Sequence, residues 1–247
     1  MSLKEYIDAQ GHNFKEVSRL PHFSHLIEQI DRVYNHTLDI FPNDVPARYI
    51  RFLLLFHKSF LSAVTLIGQC QPDDAAAITR RAIEVARICL ASKHDENNYE
   101  KWLSYEKRYE RWQKREKNEK PPPLPHIQLK LPDNHSILDD LMRQLGSYSD
   151  AFVHFTPEYY SSLNWKDDRE SDPAKIVLSY FISDQRVLER ELLTLAGDHA
   201  KFLQIIDECI DGYLHKQPTW KSLMSSLYNT GSKLGKLFEM STNEEKL

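Results

Sequence analysis

The chain has 247 residues, 41% of them hydrophobic, and carries 32 basic against 36 acidic side chains for a formal charge of −4. That length buries a substantial core without help from metal or disulfide, and the balanced charge excludes a protein-wide field that would attract nucleic acid or an anionic membrane. Seven glycines are too few for a β-rich fold that spends glycine on its turns, so the composition points to an all-α protein. We read a single all-helical domain over 1–247, a helical bundle of about eight helices.

The first 20 residues hold Lys4, Glu5, Asp8, Lys15 and Glu16 and no apolar run, which is not the pattern of a secretory signal. From Phe23 to Phe41, apolar residues recur at steps of three and four, predicting an amphipathic helix stopped by Pro42. Asn43 or Asp44 is expected to cap the next helix, with Pro46 in its first turn, and that helix runs to about Gly68. It is the most apolar stretch of the chain, but Arg51, His57 and Lys58 are costly in a bilayer, so it is read as a core helix. A third helix follows from about Asp74 to Ser92.

Residues 95–133 form a charged arm: a long projecting helix near 95–120, closed by Pro121, Pro122, Pro123 and Pro125 and a proline-rich return. Tyr99, Trp102, Tyr105, Tyr109 and Trp112 draw one aromatic stripe down that helix. This stripe is the candidate interface, for a homodimer or a protein partner. The basic residues between the aromatics are nearly cancelled by glutamates, which disfavours nucleic acid.

Helical periodicity returns from Asn134 to Leu145, with Gly146 as a stop. Residues 157–172 read as a loop, Pro173 opens further helix, and Gln185 to Leu214 is strongly periodic. A last helix is expected over about 219–238, with Thr219 as its cap, followed by a frayed tail at 241–247.

Two constellations stand out. Arg80 and Glu84 lie four apart on one face of the third helix, where a guanidinium and a carboxylate either pair with each other or jointly hold a polar ligand. In the segment Gly146 to Phe155, Tyr148, Ser149, Asp150 and His154 cluster among apolar residues. Asp150 and His154 have the spacing at which a carboxylate orients an imidazole. Arg80-x-x-x-Glu84 after an alanine-rich start, then a helix with Trp102 and Tyr105, then the Ser149 and His154 segment, resembles the uncharacterised all-helical "domain of unknown function" proteins found widely in bacteria. That resemblance implies a helical fold and a shared pocket around Arg80, Glu84 and His154, and no established activity.

Arg19-x5-His25, Arg51-x5-His57 and Arg87-x6-His94 match the spacing of helical HEPN-type nucleases, but such short matches arise at about this number by chance. Cys70, Cys89 and Cys209 form no CxxC pair, which argues against a disulfide framework and a zinc site and for a reducing, cytoplasmic setting. No glycine-rich phosphate loop is present, and no cofactor and no metal are expected. The leading expectation is a non-catalytic interaction or regulatory protein, without membrane contact. The alternative is a hydrolase, including a nuclease of a defence or toxin system, using His154 as acid or base and Arg80 to hold an anion.

Overall fold

A computed structural model of the chain describes residues 2–113, 135–148, 165–167, 176–178 and 185–244. These residues form an all-α bundle with nine α-helices among them: α1 (Leu3–Val17), α2 (Pro21–Asp39), α3 (Ala47–Gly68), α4 (Pro72–His94), α5 (Glu96–Leu103), α6 (Tyr105–Gln113), α7 (Ser136–Tyr148), α8 (Gln185–Cys209) and α9 (Pro218–Glu244). A short 3₁₀ turn spans Leu214–Lys216.

The core lies where α2, α3, α4 and α8 meet. It is built from Phe23, Leu26, Ile30 and Tyr34 of α2, Phe52, Phe56 and Phe60 of α3, Ile83 and Leu90 of α4, and Phe202, Leu203 and Ile206 of α8. Phe56 stacks on Phe202 at 4.8 Å. Aromatic pairs at such spacing add to the stabilisation already gained from area burial. The alanines Ala75, Ala76, Ala82, Ala86 and Ala91 are buried and keep α4 narrow, so its neighbours approach closely. Helices α4 and α8 run side by side in the same direction: Asp73 is within electrostatic reach of Glu191 near one end, and Cys89 touches Cys209 near the other. Helix α7 runs opposite to α8, with His135 bonded to Glu208 and Asp140 paired with Lys201.

Helix α3 is long and apolar enough by length and composition to cross a membrane. Its residues Phe52, Leu53, Phe56, Phe60, Ala63 and Ile67 face the core, and Leu54, Leu55 and Leu61 point outward.

Several boundaries differ from expectation. Residues 3–17 form a further helix, started by a capping box in which Ser2 and Glu5 satisfy each other's backbone N–H groups. Pro46 itself is the N-cap of α3, and no side chain caps it, so neither Asn43 nor Asp44 plays that part. Gly146 does not stop α7, which continues to Tyr148; a Cβ there would meet nothing within 4 Å. Residues 165–167 and 176–178 pair as antiparallel strands, the second falling where a helix opened by Pro173 was expected. Ile176 and Val177 are β-branched, which favours the extended chain. The last helix starts at Pro218 and continues to Glu244, past the expected end.

The long helix near 95–120 is, over its described part, two helices. Asp95 leaves helical geometry at φ −147° and caps α5 by accepting from the Asn97 N–H. Ser104 separates α5 from α6, its hydroxyl bonding back to the Lys101 carbonyl. Helix α5 does not project. Tyr99 is buried, Arg51 donates to its hydroxyl at 3.0 Å, and Tyr99 and Trp102 both lie 5.6 Å from the Phe52 ring. The proline-rich return lies outside the described residues.

Candidate functional site

Along α4, residues 73, 77, 80, 84 and 87 follow the helical repeat and fall on one side of the helix. All five are half-buried, between a buried face and solvent. Ala77 gives the stripe a low floor, and Asp73, Arg80, Glu84 and Arg87 supply its polar groups.

The ion pair at its centre is loose. Arg80 Nη2 is 3.7 Å from Glu84 Oε1, beyond hydrogen-bond distance, and the two side chains are 27% and 26% exposed. Arg87 is in electrostatic reach of the same carboxylate, and burial pulls its pKa down against that attraction. Among the described residues, the Nε atoms of Arg80 and Arg87 are both buried and have no hydrogen-bond partner. Two guanidinium groups thus share the one carboxylate of Glu84 on a half-buried face of α4.

At the start of the stripe the sign reverses. Burial, with Asp74 and Glu191 nearby, pushes the Asp73 pKa up to about 6. Burial also raises Glu191, and Arg190 partly offsets this. The stripe is acidic and easily protonated at one end and basic at the other.

The structure places the other sequence-predicted residues as follows. Tyr148 is the last residue of α7. Ser149, Asp150 and His154 lie outside the described residues. Of the aromatic stripe, Tyr99 and Trp102 pack on the bundle, while Tyr105, Tyr109 and Trp112 continue along α6, with Tyr105 and Tyr109 stacked at 6.1 Å. The Arg and His residues at nuclease-like spacing have other partners in two of the three cases. Arg19 pairs with Glu16 and His25 meets Gln29; Arg51 bonds Tyr99 and His57 bonds Asp31.

Sequence reasoning missed a polar cluster inside the core. His199 is fully buried, its Nδ1 is 2.7 Å from the Tyr34 hydroxyl, and its Nε2 has no hydrogen-bond partner among the described residues. Its ring stands edge-on to Phe60 and Phe202. Tyr34 in turn stacks on His57 at 4.8 Å, and His57 Nε2 is 2.9 Å from Asp31 Oδ1 at the surface. Burial, reinforced by His57, pushes the His199 pKa down to about 3. The ring is therefore neutral at physiological pH and has no charge to exchange there. The adjacent Asp198 and His199, both on the buried side of a strongly periodic helix, were the available signal.

Between α7, α8 and α9 lies an open cleft of about 560 Å³, lined by Ser136, Asp139, Asp140, Lys201, Gln204 and Tyr228 among others. Lys201 sits 3.7 Å from Asp140 and 3.9 Å from the buried Asp198. Opposite charges thus largely neutralise each other there, unlike along the α4 stripe. Among the described residues no group of three or more His, Cys, Asp or Glu side chains is placed to hold a metal ion.

No protein-family model matches the chain, and neither a curated protein nor a solved structure is significantly similar to it.

Proposed function

We propose that this is a non-catalytic, cytoplasmic binding or regulatory protein that takes an anionic group on the half-buried stripe of α4. One observation carries the reading: Arg80 and Arg87 share the single carboxylate of Glu84, and their buried Nε atoms make no hydrogen bond. A phosphate or carboxylate of a ligand or partner would restore charge balance and accept from both planar forks. The resemblance to the bacterial helical proteins is in keeping with a pocket at Arg80 and Glu84, to which His154 would contribute from the following segment.

The test is titration calorimetry of the full chain with inorganic phosphate, a dicarboxylate and a mononucleotide. Wild type is expected to bind at least one of them, Arg80→Gln with Arg87→Gln to lose at least tenfold in affinity, and Glu84→Gln to gain. Equal affinity in all three proteins, or no binding by wild type, refutes the reading. Turnover of an ester or phosphodiester that disappears in His154→Ala would replace it with the hydrolase.

A homodimer or protein partner through the aromatic helix belongs to the same proposal, narrowed to α6. Tyr99 and Trp102 are spent on the bundle, and Tyr109 is 36% exposed.

A further inference from the structure

We propose that Cys89 and Cys209 are an oxidisable dithiol, a site at which hydrogen peroxide installs a disulfide between α4 and α8. The two Sγ atoms are 3.6 Å apart although the residues are 120 positions apart in sequence. Both belong to packed helices that run side by side, so the contact is fixed by the core and not by a mobile loop. A disulfide brings the sulfurs to about 2.05 Å, which asks for an approach of roughly 1.5 Å, within the range of a χ1 adjustment.

The surroundings separate the roles of the two thiols. Cys89 is fully enclosed, whereas Cys209 is 5% exposed and is the final residue of α8. Beyond it the chain turns through Asp211 and Gly212, both in the left-handed region. Lys93 ties the two helix ends together, donating to the Glu208 carbonyl and pairing with Asp211 at 3.3 Å. The Arg48 guanidinium favours the Cys89 thiolate, although burial outweighs it and holds the thiol well above its ordinary pKa. Cys70, the third cysteine, is buried at the end of α3.

The chemistry balances in two steps. Cys209 Sγ attacks one peroxide oxygen, the O–O bond breaks, and sulfenic acid and one water form. Cys89 Sγ then attacks the Cys209 sulfur, expelling the hydroxyl, which takes the Cys89 proton and leaves as the second water. Two thiols are oxidised by two electrons in all, and one peroxide is reduced to two waters.

The test uses the folded, fully reduced wild-type chain with stoichiometric hydrogen peroxide. Thiols counted after denaturation are expected to fall from three to one, intact mass to drop by roughly two units for the two hydrogens lost, and a peptide map to join the segments holding residues 89 and 209. The thermal midpoint is expected to rise by several degrees, since the bridge restrains a long loop in the unfolded chain. Cys70→Ser should behave like wild type, and in folded Cys89→Ser a sulfenic-acid trap should label Cys209. Three surviving thiols, or loss confined to Cys70, in protein that circular dichroism shows to be folded overturns the proposal. Neither result bears on anion binding by Arg80 and Arg87.

Discussion

The His199 imidazole has a folded pKa of about 3 against an ordinary value of 6.5. Between those values the unfolded chain takes up a proton that the folded chain refuses, so this group's contribution is intact above pH 6.5 and is lost as the pH falls toward 3. The expected loss from pH 7 to pH 5 is about 2 kcal/mol, read from denaturant unfolding as the difference between wild type and His199→Phe, in which it should vanish. Asp73 works in the opposite sense. Its carboxyl is raised to about 6 from 3.8, so its unfavourable contribution is present above pH 6 and relieved as the pH falls toward 4. Asp73→Asn should therefore be more stable than wild type at pH 7, with the gap narrowing toward pH 4.5 in the same assay. A third residue-scale expectation concerns the α4 stripe. Replacing Arg87, a half-buried cation without a hydrogen bond at Nε, with Gln should leave the unfolding midpoint unchanged or raise it, even as anion affinity falls.

At the scale of elements, the contact between α1 and α3 depends on a missing side chain. A Cβ on Gly68 would stand 2.5 Å from the Phe14 ring. Gly68→Ala should push α1 off the bundle at a cost of about 1–3 kcal/mol, seen as faster proteolysis within residues 3–17 with the rest protected. The turn after α8 depends on Asp207, whose Oδ1 accepts from the Leu214 and His215 N–H groups at 2.7 and 3.1 Å. Asp207→Ala should cost about 2 kcal/mol, as lost hydrogen bonds to a charged acceptor do, measured by thermal unfolding. How much of this was legible in sequence follows from range. The apolar repeats of α2, α3, α4 and α8 are local patterns, and they gave the bundle and the Arg80 and Glu84 stripe. The Ser2 and Glu5 capping box is equally local, but Leu3, Ile7 and Phe14 of this helix stay exposed, so it adds little to the core. The breaks at Asp95 and Ser104 come from single polar side chains competing for backbone groups, which an aromatic stripe conceals. The pairing of Cys89 with Cys209, of Tyr34 with His199 and of Arg51 with Tyr99 depends on how helices stack. Spacing along one helix carries no trace of it.

For the whole molecule, the near-neutral charge balance confines electrostatic recognition to local features, and among the described residues Arg80 and Arg87 on α4 are one such feature. Light scattering at micromolar concentration should give twice the chain mass if α6 completes a dimer, and Tyr109→Ser with Trp112→Ser should return it to one. The bond between Trp220 and Thr37 has a consequence for how the bundle comes together. Trp220 Nε1 donates to Thr37 Oγ1 at 3.0 Å while that hydroxyl donates to the Val33 carbonyl. Both residues are buried where α9 covers α2. Residues 218–244 leave the ribosome only after the rest of this bundle has emerged, so the face of α2 that receives Trp220 stays bare until α9 follows. A chain truncated after Gln217 should bind holdase chaperones, and the chain extended through α9 should not. The enclosed indole then offers a built-in fluorescence signal for that closing step.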